Sequence, residues 1–198
     1  MAMTYDDFLN LTEWNGDRYE AINRDVYKMP SPSEPHQTVC RNLTEIIGNF
    51  LKGKPCRLFI QPFDVFLGDD VVIPDLFVVC DKNKIAKKGC VGVPDLVIEV
   101  ISPSSSKRDL VTKRELYLKN EVREYWIVFP SDKHVIVHTL NGNDYDEAEY
   151  LETDVIYSQV LAGLPLELKF IFDECSHDDY LEYLVKRILK LDVSKYLD

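Results

Sequence analysis

The chain has 198 residues, which is enough for one domain with a substantial hydrophobic core. With 45% hydrophobic and 29% charged residues, its composition is that of an ordinary folded protein and excludes a disordered chain. The formal net charge of −11 argues against a surface covered with phosphate-binding lysines. Since no apolar stretch reaches about 20 residues, we expect no membrane span.

In chain order, the first half predicts helices and strands in alternation. Residues 4–14 predict a short amphipathic helix, and residues 19–29 predict a hairpin that turns between Asn23 and Asp25. Ser33 and Pro35 then mark the start of a helix, which ends before Gly53. Its apolar stripe consists of Val39, Leu43, Ile46, Ile47, Phe50 and Leu51.

The apolar runs in the middle of the chain predict buried strands. Residues 56–68 and 71–80 predict two strands joined by a Gly-Asp-Asp turn, and residues 94–101 predict a third strand buried on both faces. A second helix is predicted from about Lys107 to Asn120. Strands over 123–130 and 133–140, further strands within 144–172 and an amphipathic helix over 178–191 complete the order. We therefore predict one α/β domain over 1–198, with a central mixed β-sheet flanked by helices.

Charge and cysteine patterns divide the chain and indicate its compartment. Residues 141–198 hold 14 acidic and 5 basic residues, a net charge of −9, whereas residues 1–140 hold 20 and 18, a net charge of −2. We predict a core over 1–140 and an acidic β-rich extension with a final helix over 141–198.

The five cysteines form no Cys-x-x-Cys pair, so neither a zinc site nor a disulfide framework is expected, and a cytoplasmic location is favoured. The start, MAMTYDDFLNL, does not resemble a signal peptide.

Basic residues form two clusters within the nearly neutral first part. We interpret each cluster first as a solvated loop or helix face. The clusters are Lys82, Lys84, Lys87 and Lys88, and Lys107, Arg108, Lys113 and Arg114.

Two acidic residues interrupt segments that otherwise predict buried strands. Asp75 lies in VIPDLFVV, and Glu99 lies in VPDLVIEV. Side chains alternate along a strand, so Asp75 shares a face with Phe77, and Glu99 shares a face with Val97. A buried carboxylate is costly unless it is paired or binds a metal. Asp95 has a simpler interpretation, since an acid at a strand entrance hydrogen-bonds turn amides.

Lys113 lies within the apolar stripe of the second predicted helix, together with Leu110, Leu116 and Tyr117. A lysine in such a stripe often extends its ammonium to solvent. With two acids on the preceding strands, we predict instead that Asp75, Glu99 and Lys113 converge at one end of the sheet. Two carboxylates can hold Mg²⁺, and a lysine can stabilise the transition state of phosphodiester hydrolysis.

Two upstream residues are further candidates, each with a structural alternative. Glu20 is either an exposed acid at a strand end or part of the site. His36 is either a surface histidine near a helix cap or a residue that contacts phosphate or base at a helix N-terminus.

Three segments resemble the Uma-two family of endonucleases, which belongs to the PD-(D/E)XK superfamily. They are YEAINRDVYKMPSPSEPHQ, VIPDLFVV and PDLVIEVISPSSSKRDLVTKRELYLKNEVREYWIV. The resemblance covers roughly residues 4–140 and implies a restriction-endonuclease-like fold. It further implies an endonuclease that depends on Mg²⁺ (or Mn²⁺), with DNA as the expected substrate.

Residue by residue, the resemblance implies Asp75 as the PD aspartate and Glu99 as the acid of the (D/E)XK half, both as metal ligands. Ile101 stands where the superfamily has its lysine, so Lys113 is the predicted relocated lysine. Glu20 and His36 match the family's glutamate after tyrosine and its histidine after the proline-rich turn.

Two other functions stay open at this point. A nuclease-fold module that has lost activity would bind nucleic acid or protein, and the missing lysine motivates this alternative. A structural protein would satisfy its acids with buried hydrogen bonds. The position of the Lys113 ammonium relative to the two carboxylates discriminates among them. The partners expected are DNA and a second copy of the chain in a homodimer, without a membrane.

Overall fold

The computed structural model describes residues 17–101, 108–172 and 177–185. Its helices are α1 (Glu34–Leu51), α2 (Arg114–Lys119), α3 (Lys169–Phe172) and α4 (His177–Tyr183), and a π-helical segment (Arg108–Lys113) leads directly into α2. Its strands are β1 (Tyr19–Ile22), β2 (Asp25–Lys28), β3 (Arg57–Ile60), β4 (Asp64–Leu67), β5 (Asp70–Val72), β6 (Leu76–Val79), β7 (Gly89–Val91), β8 (Leu96–Val100), β9 (Glu124–Phe129), β10 (His134–Asn141), β11 (Asp144–Leu151), β12 (Val155–Tyr157) and β13 (Pro165–Glu167).

The strands form two large mixed sheets and a small one. The six-stranded sheet has the order β11-β10-β9-β8-β6-β3, and the five-stranded sheet has the order β2-β1-β5-β4-β7. Strands β12 and β13 form a separate pair. Each large sheet contains one parallel pair, β8 with β9 and β4 with β7. The predicted α/β class with mixed sheet is therefore confirmed.

The two faces of the six-stranded sheet are covered differently. On one face, the apolar stripe of α1 packs on β6, β8 and β9, and residues 156–172 complete this core. On the other face, β8 and β9 pack against the five-stranded sheet and α2. A second sheet therefore covers much of the face where the sequence predicted only helices. The stripe of α1 is confirmed, since all six of its predicted members are buried.

The prediction of single strands over 56–68 and 71–80 is wrong. Each run contains two strands that belong to different sheets: β3 and β6 pair in one, and β4 and β5 pair in the other. Pro62 and Pro74 lie at the two breaks. Because proline has no amide hydrogen for a sheet hydrogen bond, each run leaves its first sheet there. The hairpin turn that joins β4 to β5 is confirmed.

The other predicted elements agree with the structure where it describes them. The hairpin of β1 and β2 turns at Asn23 and Arg24, both with positive φ. The strands predicted over 123–130 and 133–140, and the first strand within 144–172, are β9, β10 and β11, which form an antiparallel meander. The helix predicted over 4–14 and the last part of the C-terminal helix lie outside the described residues. Among the helices described, none has the length and apolar character needed to cross a bilayer.

The expectation that the cysteines stay unpaired is wrong for Cys56 and Cys80, which form a disulfide. Arg57 of β3 pairs with Val79 of β6, so the two cysteines lie opposite each other at the next position of this antiparallel ladder. Because β3 and β6 are separated by the β4–β5 hairpin, the spacing of the cysteines in the sequence did not indicate this pair. The disulfide fastens β3, an edge strand, to β6.

Candidate active site

Strand pairing brings Asp75 and Glu99 to the same face of the six-stranded sheet. Leu76 of β6 pairs with Ile98 of β8, so Asp75, one residue before β6, lies opposite Glu99. The backbone N–H of Val100 donates to Asp75 Oδ2 at 2.8 Å. Both side chains are buried, with exposures of 6% and 4%. Directly opposite residues of an antiparallel pair are side-chain neighbours, so this register agrees with the expectation that the two acids lie close together.

Lys113 contacts Glu99, one of the two acids near which it was expected to lie. Its ammonium is buried, lies 2.7 Å from Glu99 Oε1 and lies 2.9 Å from Glu20 Oε1. The interpretation of a lysine that reaches solvent is therefore wrong, since only 1% of Lys113 is exposed. The π-helical segment ends at Lys113, whose ammonium contacts Glu20 of the five-stranded sheet and Glu99 of the six-stranded sheet.

Glu20 is also buried, so its interpretation as an exposed strand-end acid is wrong. It lies on β1 in the five-stranded sheet, where the backbone N–H of Ile73 donates to its Oε1 at 3.0 Å. Glu20 and Glu99 thus approach the same ammonium from two different sheets. The meeting of the sheets, which no local pattern encodes, creates this cluster.

Tyr117 completes the surroundings of Glu99. Its hydroxyl donates to Glu99 Oε1 at 2.7 Å. Burial raises the pKa of Tyr117 well above its usual value, and the charges of Glu99 and Glu20 raise it further, so the hydroxyl keeps its proton. From its sequence position, Tyr117 was expected only to be an apolar member of the helix stripe. Its position one helical turn after Lys113 was the available signal.

Asp75 is held by two side chains from different elements. His36, in the first turn of α1, places Nε2 at 3.1 Å from Asp75 Oδ1. Gln61, just after β3, donates its amide to the same oxygen. Arg18 in turn donates to Gln61 Oε1 at 2.6 Å. The interpretation of His36 as a surface histidine is wrong, because its side chain is buried against this carboxylate.

Cys40 lies one helical turn after His36 on α1, with Sγ at 3.6 Å from His36 Nδ1. Burial raises the pKa of the Cys40 thiol, and the charges of Asp75 and Glu99 raise it further. The charges of Asp75 and Glu99 both affect the pKa of the Cys40 thiol, which agrees with the opposite positions of the two acids, just before β6 and on β8. The sequence analysis did not single out Cys40 or Gln61, although the four-residue spacing of His36 and Cys40 was readable.

A cleft of about 470 Å³ opens beside Asp75. Its wall includes the cationic side chains of Arg18 and Arg41, the acid Glu45, and Gln61 and Cys40 from the Asp75 surroundings. The cleft therefore gives a ligand access to the Asp75 side of the cluster, and the two arginines offer charge-assisted donors to an anion.

Other acids and bases near these strands have structural contacts. Asp95 accepts a hydrogen bond from the backbone N–H of Cys80 at 2.8 Å, as its position at a strand entrance predicted. Lys82, Lys87 and Lys88 are exposed, which agrees with the solvated-loop interpretation of that cluster. Of the second basic cluster, Lys107 and the side chain of Arg108 lie outside the described residues.

Glu124 on β9 is as deeply buried as Glu99, yet its contacts are of another kind. It accepts hydrogen bonds from Trp126 Nε1 at 2.7 Å, the Ser158 hydroxyl at 2.8 Å and the backbone N–H of Val160 at 3.1 Å. These three donors are neutral and belong to the fold. A buried glutamate alone therefore does not mark the site. Glu99 is distinguished by the neighbouring Lys113 and by the further acids Glu20 and Asp75.

The donors around Asp75 and Glu99 fit a hard divalent cation. Mg²⁺ and Mn²⁺ prefer carboxylate oxygens, and the strand register places these two acids at opposite positions of adjacent strands. Val100 N–H, Gln61 and Tyr117 orient the carboxylates from behind, as outer contacts do in metal sites.

The chain matches one family model, and it is similar to a protein of Synechocystis sp. and to a solved crystal structure. The model of the Uma2 family, described as "Putative restriction endonuclease", matches residues 5–169. The uncharacterized protein slr1290 of Synechocystis sp. is 23% identical over 171 residues, which cover 85% of this chain and 88% of that protein. A crystal structure described as a "putative nuclease belonging to DUF820" from Anabaena variabilis superposes with a TM-score of 0.72 at 23% identity, covering 85% of this chain and 97% of that one. This likeness confirms the nuclease-type α/β fold, and the family match extends beyond residue 140 to include β11, β12 and β13.

Proposed function

The chain belongs to the Uma2 family, and from this membership and its buried acidic site we propose that it is a metal-dependent endonuclease that hydrolyses phosphodiester bonds of DNA. The observation that carries the proposal is the position of the Lys113 ammonium, within 2.9 Å of both Glu20 and Glu99. It supplies the cation that Ile101 cannot supply at the superfamily's usual lysine position.

Asp75 and Glu99 are the residues that would hold Mg²⁺ or Mn²⁺. Such an ion, when bound, lowers the pKa of a coordinated water and neutralises charge on the phosphate. Val100 N–H and Gln61 fix the Asp75 carboxylate, and Tyr117 fixes the Glu99 carboxylate, so both are oriented before substrate arrives.

Lys113 is proposed to stabilise the negative charge that develops on the phosphoryl oxygens, a role that a preorganised ammonium performs well in a dry site. Glu20 is proposed as a positioning residue, because it holds the Lys113 ammonium from the side of the five-stranded sheet. His36 is proposed to orient Asp75 and to lie near the phosphate.

The cleft supports an anionic substrate. Arg18 and Arg41 line it next to Asp75, and an arginine presents paired donors suited to a phosphodiester. The acidic strand β11 is at the opposite edge of the six-stranded sheet from β3, which borders the cleft. The acidic residues of that strand therefore do not line the phosphate path.

Incubation of the purified chain with DNA and RNA, in Mg²⁺, Mn²⁺ or EDTA, tests the proposal. We expect cleavage of DNA in either metal, loss of cleavage in EDTA, and loss of cleavage in Asp75→Asn. Cleavage of RNA alone would correct the substrate. DNA binding without cleavage in either metal would favour an inactive nuclease-fold module, and cleavage that persists in EDTA would contradict the mechanism.

A further inference from the structure

Three side chains of different chemistry lie together beside the cleft, and two of them, Cys40 and Asp75, line it. His36 and Cys40 lie four residues apart on one face of α1, and Asp75 lies just before β6. One potential ligand atom of each lies within 4.8 Å of those of the other two. This group shares Asp75 and His36 with the proposed hydrolytic site and adds Cys40, to which the proposed hydrolysis assigns no role.

The donor set differs from the oxygen ligands that suit Mg²⁺. An imidazole nitrogen, a thiolate sulfur and a carboxylate oxygen together favour Zn²⁺ or a related transition metal. In tetrahedral coordination with bonds of about 2.0 to 2.3 Å, ligand atoms lie roughly 3.5 Å apart. Cys40 Sγ lies 3.6 Å from His36 Nδ1, and Asp75 Oδ1 lies 3.1 Å from His36 Nε2. Because one ion bonds only one of the two ring nitrogens, a side-chain rotation has to bring the remaining ligand closer, and all three ligand atoms already lie within 4.8 Å of one another.

The surroundings also match those of an accessible transition-metal site. Gln61 and Val100 N–H hold the Asp75 carboxylate from behind, as outer contacts hold metal ligands. His36 and Asp75 are both buried. Asp75 nevertheless forms part of the cleft wall, together with the partly exposed Cys40. Three protein ligands with a fourth position facing a cleft is the arrangement of zinc sites that accept water or substrate.

We propose that His36, Cys40 and Asp75 bind a thiophilic divalent transition-metal ion of the zinc class, with its fourth position open to the cleft. On binding, the Cys40 thiol releases its proton to solvent and its sulfur bonds to the ion. This site goes beyond the proposed hydrolysis and does not depend on it, because binding is measured without any nucleic acid.

Titration of the full-length chain with Co²⁺, monitored by optical absorption, tests the site. Co²⁺ replaces Zn²⁺ in such sites, and a sulfur ligand produces a thiolate-to-cobalt charge-transfer band. We expect this band at one equivalent of Co²⁺, its displacement by Zn²⁺, and its loss in Cys40→Ser. His36→Ala should keep the thiol but weaken Co²⁺ binding by at least about a hundredfold, since even outer contacts of metal ligands are worth ten- to a hundredfold.

The buried free thiol of Cys90 provides a matched control. Cys90→Ser should keep the charge-transfer band, because Cys90 does not belong to the group. An undiminished band in Cys40→Ser, or no band in the wild type at saturating Co²⁺, would overturn the proposal. Alkylation of the wild-type chain, mapped by mass spectrometry, gives a test that needs no variant: Zn²⁺ should protect Cys40 at least about tenfold, and equal labelling with and without Zn²⁺ contradicts the site.

Discussion

Lys113 is the one buried base that the structure places directly between two buried acids, Glu20 and Glu99, within the described part of the chain. Asp75 adds a further carboxylate on the same side of β6 and β8. A buried cluster with more acids than bases makes the free energy of folding less favourable. Apolar residues of similar volume in its place would carry a smaller penalty. A bound divalent cation would offset this excess negative charge, which accounts for a charge pattern that stability alone does not favour.

Lys113→Ala should lower the rate of phosphodiester hydrolysis by about a hundredfold, the usual cost of losing one preorganised charge-stabilising group. It should also reduce the free energy of unfolding by roughly 3 to 5 kcal/mol, because Glu20 and Glu99 lose their shared ammonium. Lys113→Arg should restore little activity, since a planar guanidinium does not fit a site shaped for an ammonium. Cleavage kinetics and urea unfolding measure the two effects.

A double variant separates the catalytic role of Lys113 from its structural role. Lys113→Met combined with Glu20→Gln removes one base and one acid together, so it should recover stability without recovering hydrolysis. If the double variant regained both, Lys113 would serve only the fold.

Tyr117→Phe tests the orientation of Glu99. The variant loses the hydroxyl that donates to Glu99 Oε1, so Mn²⁺ affinity should fall by about tenfold, as for other outer contacts of metal ligands. The free energy of unfolding should fall by about 1 kcal/mol, the usual value of one hydrogen bond. Tyr145→Phe is the matched control, because its hydroxyl donates to the Val122 carbonyl. Equal loss of Mn²⁺ affinity in both variants would remove Tyr117 from the site.

At the scale of elements, β3 connects the disulfide to the site. Cys56 precedes β3, and Gln61, which contacts Asp75, follows it. The disulfide closes a segment with a sequence separation of 24 residues, for which the lost entropy of the unfolded chain corresponds to about 3 kcal/mol. Cys56→Ala combined with Cys80→Ala should therefore lower the free energy of unfolding by about 2 to 4 kcal/mol in urea.

Non-reducing peptide mapping reports whether the disulfide forms in the purified chain, and the same unfolding experiment with reductant should reproduce the loss in the wild type only. If reductant left the free energy of unfolding unchanged and the peptide map showed both thiols free, the disulfide would be contradicted. That result would agree with the cytoplasmic location expected from the sequence.

The meander of β9, β10 and β11 contains a buried histidine that should make stability depend on pH. Burial lowers the pKa of His138 from its usual value of 6.5, and Arg114 lowers it further, whereas Glu147 and Asp144 act in the opposite direction. Tyr125 and Tyr145 lie on either side of its ring, and its Nδ1 lies 3.4 Å from Glu147 Oε2. His138 is therefore neutral in the folded protein at neutral pH.

The unfolded chain binds a proton at His138 near pH 6.5, whereas the folded chain binds it only at lower pH. Stability attributable to this residue is therefore present above about pH 6.5 and is lost as pH falls below that value. Urea unfolding between pH 5 and 8 should show this loss in the wild type and a flatter dependence in His138→Gln. Parallel pH profiles would show that His138 has the same pKa in the folded and unfolded states, which would contradict this account.

At the scale of the whole molecule, the sheet separates the acidic strand β11 from the site. β11 and β6 are four inter-strand steps apart in the six-stranded sheet, which at about 4.8 Å per step is roughly 19 Å. This distance exceeds the Debye length of about 8 Å at physiological ionic strength, so the exposed acids of β11 are screened from a phosphate at the cleft. Charges on such an edge strand also discourage pairing with other chains.

Local patterns in the sequence were sufficient to find Asp75, Glu99 and Lys113, because each is an ionisable residue in an apolar segment. Gln61, Cys40 and the disulfide of Cys56 were missed. Gln61 and Cys56 reach their partners only through the pairing of β3 with β6, which encloses the β4–β5 hairpin. The meeting of two sheets around Lys113 is likewise a property of the tertiary fold.

The central claim is that Glu99 serves metal-dependent hydrolysis, and a comparison of two buried glutamates on adjacent strands tests it most directly. Glu99→Gln and Glu124→Gln are the same chemical change on β8 and β9, but Glu124 accepts hydrogen bonds only from neutral donors of the fold among its described contacts. In Mg²⁺-dependent cleavage of DNA, Glu99→Gln should lose at least about a hundredfold in rate, and Glu124→Gln, compared at a temperature where it is folded, should retain the wild-type rate. Equal rates for Glu99→Gln and the wild type would contradict the account.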